Sequence, residues 1–208
     1  MVQREDAMSD NGGWFAGVYD YVMWPFERAF IGVWRRRLAG GLRGRVLEIG
    51  AGTGASVAWY PQGLEVVAVE PSEALAARAR ERARTASASI QLVTAHAEAL
   101  PFADASFDVA VGMFTWCSVD DPATGLQEVR RVLRPGGRLV LLEHVHLPWQ
   151  PGRAVQSCAA PVWEQVAGGC RLDRDTERLV RDAGFVITAR RSHILGWILE
   201  LEGLRAAS

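Results

Sequence analysis

Two carboxylates flank a glycine-rich turn early in the chain, and their spacing indicates a ligand site. Glu48 precedes the turn, and glycine then occupies every second position from Gly50 to Gly54. A turn without bulky side chains after an apolar, strand-like run lets backbone N–H groups approach a bound molecule. Glu70 stands 20 residues after Gly50 and ends the next apolar run. An acidic side chain there can accept hydrogen bonds from ribose hydroxyls, so we expect a nucleoside-containing ligand.

Other side chains with chemical capacity follow later apolar runs. His144 directly follows the apolar run 138–143, and histidine is a common general acid or base in enzymes, so we predict a polar role beside a reacting substrate. The alternative is that His144 only orders the loop that follows it. Aromatic and thiol side chains that can line a substrate pocket are Tyr19, Trp116, Cys117 and Trp149. The tryptophans among them also suit an ordinary core.

Apolar runs that read as strands alternate with amphipathic runs that read as helices. We predict strands in 46–49, 64–69, 90–94, 107–113, 138–143, 185–189 and 197–204, and helices in 55–60, 73–84, 122–133 and 154–165, with another from Leu172. This alternation predicts an α/β fold, a Rossmann-like and mostly parallel sheet with helices on both faces. Such sheets bind ligands beyond the carboxyl ends of their strands.

Length and composition favour one globular domain. The chain has 208 residues, 49% of them hydrophobic and 23% charged. We predict a flexible N-terminus over 1–13 and a single domain over 14–208, with an N-terminal helical cover over 14–41 and a substrate-side insertion over 144–171. The aromatic-rich segment 14–30 has three interpretations: packing onto the domain, a mobile cover over the ligand, or contact with a membrane surface.

Charge and cysteine usage exclude several classes of function. The net charge of −1 gives no attraction for nucleic acid. No apolar run reaches the roughly 18 residues that a membrane span needs, and the first ten residues lack a signal region, so we expect a cytoplasmic protein. Three cysteines without a C-x-x-C pair predict neither a disulfide framework nor a metal site.

The glycine motif alone does not identify the ligand. Residues 50–55 fit G-x-G-x-x-A of nicotinamide enzymes as well as the E-x-G-x-G-x-G of S-adenosylmethionine enzymes. Glu48 favours the second interpretation, because a carboxylate suits an ammonium group and sits awkwardly beside a pyrophosphate. The chain also leaves no room for the second, substrate-binding domain that most dehydrogenases use.

Several motifs follow in an order that resembles class I S-adenosylmethionine-dependent methyltransferases. Within residues 45–189 they are 46–54, Glu70-Pro71, 98–102, 107–109 and 133–137. The resemblance implies a seven-stranded sheet with the last strand antiparallel. It also implies that S-adenosylmethionine contacts Glu48, Gly50, Ala51, Gly52, Gly54, Glu70, Pro71, Ala97, Glu98 and Phe114. His96 departs from the pattern, since many relatives carry Asp there; the alternative is that it faces solvent.

The C-terminal third has a narrower resemblance. Residues 117–119, 143–145, 149–150, 161–163, 169–176 and 183–185 follow in an order similar to the group that includes thiol S-methyltransferases. This implies a small, lipophilic methyl acceptor, with a thiol favoured and phenols, amines, quinones or lipid head groups as alternatives; peripheral membrane contact is compatible with such acceptors. The competing hypotheses are a nicotinamide-dependent oxidoreductase and a non-catalytic cofactor-binding module on the same fold.

Overall fold

The computed structural model describes residues 31–166, 170–172 and 174–207, with the backbone alone for 161–166. Tyr19, the predicted flexible N-terminus 1–13 and most of the predicted cover 14–41 therefore lie outside the described residues. Within the described residues, no helix combines the length and apolarity that crossing a bilayer requires.

Strands and helices alternate through most of the described chain. The strands are β1 (Arg45–Ile49), β2 (Glu65–Val69), β3 (Ser89–Val93), β4 (Phe107–Met113), β5 (Leu133–His144), β6 (Phe185–His193) and β7 (Ile198–Arg205). The α-helices are α1 (Gly32–Gly40), α2 (Glu73–Ala83), α3 (Pro122–Val132), α4 (Gln150–Val166) and α5 (Thr176–Asp182). Two 3-10 turns cover Val57–Trp59 and Ile194–Gly196.

The seven strands form one mixed sheet in the order β3-β2-β1-β4-β5-β7-β6. Parallel pairs join β1 to β2, β2 to β3, and β4 to β5, whereas β7 runs antiparallel to both β5 and β6. The predicted Rossmann-like fold and its antiparallel last strand are confirmed.

The chain divides into two compact units, residues 1–95 and 96–208. In the first unit, β1 and β2 are buried from their second residue onward. The Ser72 hydroxyl caps α2 by accepting a hydrogen bond from the Leu75 N–H at 3.4 Å. Ala76 and Ala79 form the buried stripe of that helix. These local signals place the carboxyl ends of β1 and β2 beside the glycine-rich turn.

In the second unit, α3 begins as its sequence predicts. Asp121 accepts hydrogen bonds from the N–H groups of Ala123 and Thr124, both at 3.1 Å, and Pro122 occupies the first helical position. The buried apolar face of α3 comprises Leu126, Val129 and Val132.

Two predicted helices differ from those observed. The predicted helix 55–60 is only a 3-10 turn, because Gly54 enters with a left-handed φ of 85° and Pro61 follows too soon for two turns. The helix predicted from Leu172 begins at Thr176 instead. Asp175 fixes that start, since its carboxylate accepts a hydrogen bond from the Arg178 N–H at 3.0 Å.

The strand predicted over 138–143 begins earlier, at Leu133, and residues 134–137 form a bulge inside β5. Phe107 pairs with Leu133 and Val109 pairs with Arg138, so four residues of β5 stand opposite Asp108 alone. The Arg134 guanidinium forms an ion pair with the Asp108 carboxylate at 2.5 Å. The bulge therefore interrupts the ladder before the strand continues to His144.

Candidate active site

Glu48 lies at the carboxyl end of β1 and is 2% exposed. Burial raises the pKa of Glu48, while the nearby hydroxyls of Ser56 and Tyr60 and the positive charge of Arg35 act in the opposite direction. The Arg35 guanidinium donates to the Ser56 hydroxyl at 3.0 Å. Within the described residues, Glu48 Oε2 is buried without a hydrogen-bond partner. A buried acceptor of this kind suits a ligand that brings a positively charged donor.

The glycine-rich turn is held mainly by hydrogen bonds inside the first unit. The N–H groups of Gly50 and Ala51 donate to the Val69 carbonyl at 2.8 and 3.0 Å, and the Gly54 N–H donates to the Ala51 carbonyl at 2.8 Å. Gly50, Gly52 and Gly54 all have positive φ, which only glycine adopts without strain. The turn therefore uses these N–H groups for hydrogen bonds that stabilise its own conformation.

Gly52 and Gly54 meet different surroundings. Among the described residues, a Cβ at Gly52 would have no heavy atom within 4 Å, whereas one at Gly54 would lie 3.0 Å from the Ala79 Cα of α2. Gly54 is thus required for close packing of the turn on α2. Gly52 leaves open space above the backbone, which a ligand can approach.

Glu70 ends β2 and connects the turn to the start of α2. Its Oε2 accepts the Gly52 N–H at 2.9 Å, and its Oε1 accepts the Ser72 N–H at 3.0 Å. The side chain is 6% exposed, and the adjacent Pro71 is exposed. A carboxylate oxygen can accept more than one hydrogen bond, so its support of the turn is compatible with a role in binding a ligand hydroxyl.

The second unit begins with three predicted positions of different character. His96 is exposed, which agrees with the alternative that it faces solvent. Ala97 is buried, and its methyl group would lie 3.3 Å from a Cβ at Gly125. Glu98 Oε1 accepts the Asp121 N–H at 3.0 Å and so supports the start of α3. Contacts of Ala97 and Glu98 with a cofactor stay predictions.

Phe114 follows β4 in a strained backbone conformation. Its φ is 63°, which a bulky residue rarely adopts, and its N–H donates to the Leu142 carbonyl at 2.6 Å. The Phe114 ring lies 4.5 Å from the His144 imidazole, centroid to centroid, and the Trp197 ring lies 5.2 Å from that imidazole. Backbone strain of this kind concentrates at functional sites, so this aromatic pair around His144 is a candidate site feature.

Glu143 orders the loop that follows β4. Its carboxylate accepts the N–H groups of Thr115, Trp116 and Cys117 at 2.8, 3.0 and 3.3 Å. Burial raises the pKa of Glu143 to about 8, against the effect of these three N–H groups. This buried carboxyl group therefore fixes the position of Cys117.

Cys117, His144 and Cys170 converge although they are far apart in sequence. One side-chain atom of each, a sulfur or a ring nitrogen, lies within 4.8 Å of the other two. The Cys170 Sγ is 3.8 Å from His144 Nδ1. A hydrogen bond with the Cys170 thiol and burial both raise the pKa of Cys117 well above its usual range. At neutral pH both factors keep this thiol protonated.

The predicted pocket-lining residues fall into different environments. Trp116 is 1% exposed and packs where a Cβ at Gly112 or Gly125 would meet its indole, so it is a core residue in this structure. Cys117 is buried beside His144. Trp149, at 48% exposure, stands just before α4. Their contact with a substrate stays a prediction, as does that of Tyr19.

The predicted insertion 144–171 contains α4, which one side chain connects to its surroundings. Gln156 Nε2 donates to the carbonyls of Val145 and Leu172 at 3.2 and 3.1 Å, and Gln156 Oε1 accepts the Leu147 N–H at 2.8 Å. A recess of about 120 Å³ beside it is lined by His146, Arg153, Gln156, Ser157 and Ala160. The helix is therefore fixed at the residues that follow His144 and Cys170.

Sequence reasoning missed three residues of the site around His144: Glu143, Cys170 and Trp197. A carboxylate beside a histidine at the end of an apolar strand was the available signal for Glu143. Cys170 gave none, because its partners stand 53 and 26 residues earlier in the chain. These positions come together because β4 and β5 are neighbours in the sheet and because the segment after α4 returns to them.

Comparison with known proteins gives a consistent result. A protein family described as "Methyltransferase domain" matches residues 47–141. The thiol S-methyltransferase TMT1B of Rattus norvegicus is 37% identical over 145 residues, which cover 67% of this chain and 59% of that protein. A demethylmenaquinone methyltransferase of Beutenbergia cavernae is 34% identical over 160 residues, covering 72% of this chain and 65% of that protein.

A solved structure supports the same grouping. A SAM-dependent methyltransferase from Thermotoga maritima has a TM-score of 0.65 and 25% identity, covering 92% of this chain and 97% of that one. This chain spans less than two thirds of the length of both sequence relatives. The names of those relatives include two different acceptors, a thiol and a quinone precursor.

Proposed function

Because the chain belongs to the class I S-adenosylmethionine-dependent methyltransferases, we propose that it transfers a methyl group from S-adenosylmethionine to a small, lipophilic acceptor, with a thiol favoured. The observation that carries the proposal is the buried Oε2 of Glu48, which has no hydrogen-bond partner among the described residues, beside a glycine turn where those residues leave open space above Gly52. A cytoplasmic location stays a prediction.

The residues of the first unit fit this cofactor. Glu48 would accept hydrogen bonds from the ammonium group of its amino-acid end, and Glu70 would accept hydrogen bonds from its ribose hydroxyls. When bound, S-adenosylmethionine supplies an electrophilic methyl group on a sulfonium sulfur. Gly52 keeps the approach free of side chains. We expect the chain to bind S-adenosylmethionine more tightly than a neutral analogue that lacks the amino-acid end.

The same turn disfavours the nicotinamide alternative. Dinucleotide sites present turn N–H groups to a pyrophosphate. Here the N–H groups of Gly50, Ala51, Gly52 and Gly54 donate to acceptors of the protein. The carboxylate of Glu48 beside the turn would also repel a pyrophosphate.

The acceptor chemistry is proposed for the second unit. A thiol has a pKa of about 8.5 and needs only modest assistance to ionise. The His144 imidazole, held between Phe114 and Trp197, is the group proposed to take that proton. The thiolate is then the nucleophile for an in-line displacement, for which alignment in a dry site supplies much of the rate enhancement. No covalent enzyme intermediate is needed.

An acceptor screen with radiolabelled S-adenosylmethionine tests the proposal. Small alkyl and aryl thiols, phenols, amines and a demethylated quinol would be compared, with Glu48→Gln as the matched control. We expect the highest kcat/KM for a thiol and loss of turnover in the control. A higher kcat/KM for the quinol than for every thiol would identify a quinol, and not a thiol, as the acceptor. S-adenosylhomocysteine binding without turnover on any acceptor would favour the non-catalytic module, and tighter binding of NAD would favour the oxidoreductase.

A further inference from the structure

The cluster of Cys117, His144 and Cys170 has the composition of a metal site. We propose that these three side chains bind one soft divalent ion of the zinc class. Two sulfurs and one imidazole nitrogen are the donors that such ions prefer. The 4.8 Å limit on their mutual separations allows a single ion to reach all three atoms after small side-chain adjustments.

The measured separation agrees with ligation of one tetrahedral ion. Zinc–sulfur and zinc–nitrogen bonds of about 2.3 and 2.0–2.1 Å place two tetrahedral ligands about 3.6 Å apart. The Cys170 Sγ and His144 Nδ1 are 3.8 Å apart. For this pair the required adjustment is therefore a few tenths of an ångström.

The three donors are held by independent supports. Glu143 accepts the Cys117 N–H at 3.3 Å, and the Arg171 N–H donates to the Cys117 carbonyl at 2.8 Å, which links the segments of both cysteines. His144 is the last residue of β5 and stands between two aromatic rings. A site fixed in this way needs little reorganisation when an ion binds.

Charge also favours an ion over two isolated thiolates. Cys117 and Cys170 are 1% and 6% exposed, and the Glu143 carboxyl group is buried nearby. Ionising either thiol there is costly without a cation. A divalent ion forms two metal–sulfur bonds while both S–H bonds lose their protons, which pass to solvent, so the ion and the two thiolates are together neutral.

Three protein ligands leave one tetrahedral position for another donor. This consequence rests on the proposed function and changes one role in it: in the metal-loaded chain His144 would bind the ion instead of taking the acceptor's proton. The sulfur of a thiol acceptor would then occupy the fourth position after losing its proton to solvent. Coordination stabilises a thiolate at neutral pH, as it does metal-bound water. The site would therefore select sulfur acceptors over phenols and amines.

Metal binding by the purified full chain tests the proposal. The protein is treated with chelator in a non-thiol reductant, loaded with Zn²⁺, passed through a desalting column and analysed by mass spectrometry for bound metal. Co²⁺ loading supplies a thiolate-to-metal absorption band. Cys117→Ser and Cys170→Ser are compared with Cys158→Ser, whose thiol is exposed on α4. We expect one ion per chain in the parent and the Cys158 variant, and at least tenfold weaker binding in the other two.

Three results would overturn the proposal. They are no retained Zn²⁺ in the parent chain, equal retention in the Cys117 variant, and a Co²⁺ spectrum without the thiolate band. If the cysteine variants fail to fold, the spectrum of the parent chain decides alone. A parent mass two hydrogens lower that excludes metal would identify a disulfide instead. S-adenosylhomocysteine binding by the metal-free chain separates failure of this site from failure of the proposed function.

Discussion

Replacing Glu70 tests the proposed cofactor site most directly. In Glu70→Ala, the Gly52 and Ser72 N–H groups lose a buried, charged acceptor that now lies 2.9 and 3.0 Å away. A hydrogen bond to a charged group contributes about 1.5–3 kcal/mol. We expect the free energy of cofactor binding to weaken by about 1–3 kcal/mol, which is roughly a 5- to 150-fold rise in Kd.

The same substitution should also weaken the fold, because Glu70 connects the turn to α2. We expect a loss of about 1–3 kcal/mol in the free energy of unfolding without ligand. Glu70→Gln should fall between, since its amide keeps one acceptor oxygen but turns an NH₂ group toward the other donor. Glu81→Ala is the matched control, an exposed acid on α2 paired with Arg84.

Calorimetric titration with S-adenosylhomocysteine measures the first effect, and urea unfolding of the same samples measures the second. Titrations are run at a temperature where every variant is fully folded by circular dichroism. An unchanged Kd in folded Glu70→Ala would refute the placement of the ribose. An unchanged free energy of unfolding would refute the structural role of the carboxylate.

Three further predictions concern other parts of the site. His144→Ala should lower kcat by about 10²-fold or more, the range for a lost proton acceptor, and should leave S-adenosylhomocysteine binding unchanged in calorimetry. Loss of both turnover and S-adenosylhomocysteine binding would favour a structural role. Gly54→Ala should lower the free energy of unfolding by about 1–2 kcal/mol from its left-handed φ alone, and by more from the Ala79 contact. Gly40→Ala, where a Cβ has no neighbour within 4 Å in the described part of the chain, should not lower stability in urea unfolding. Burial raises the pKa of Glu48 in the folded chain above 4.5, its ordinary value. The ligand-free protein should therefore lose stability as the pH rises above 4.5. S-adenosylhomocysteine carries an ammonium group that favours the ionised Glu48 carboxylate, so it should bind more tightly as the pH rises. Binding should also release a proton, which calorimetric titration in two buffers measures. Equal proton release by Glu48→Gln would contradict this assignment.

Local signals made much of the fold predictable from the sequence. The bounds of β4 were predicted correctly, because the apolar run 107–113 has turn residues before it. The start of α3 was also correct, because Asp121 and Pro122 act on their immediate neighbours. The start of α5 was wrong, because two acids compete as the helix cap and only hydrogen-bond geometry selects Asp175.

The candidate site was less predictable, since its parts depend on long-range packing. Glu48 and Glu70 were recognised by their spacing, but the internal use of the turn N–H groups was not visible in the sequence. The prediction of no metal ligands considered only closely spaced cysteines. Cys117, His144 and Cys170 meet because β4 and β5 are neighbours in the sheet and because the segment after α4 returns to them.

The bulge in β5 has a consequence for what sequence similarity can report. A Cβ at Gly137 would lie 2.8 Å from the Arg134 carbonyl oxygen and 3.2 Å from the Asp108 carbonyl oxygen. The glycine in this run is therefore required by crowding of the backbone and not by any reactant. Enzymes that methylate different acceptors can share the run unchanged, because it solves the same folding problem in each. The residues that differ between enzymes with different acceptors should instead lie after Leu141, where the matched family region ends. His144 and Cys170 lie in that part of the chain.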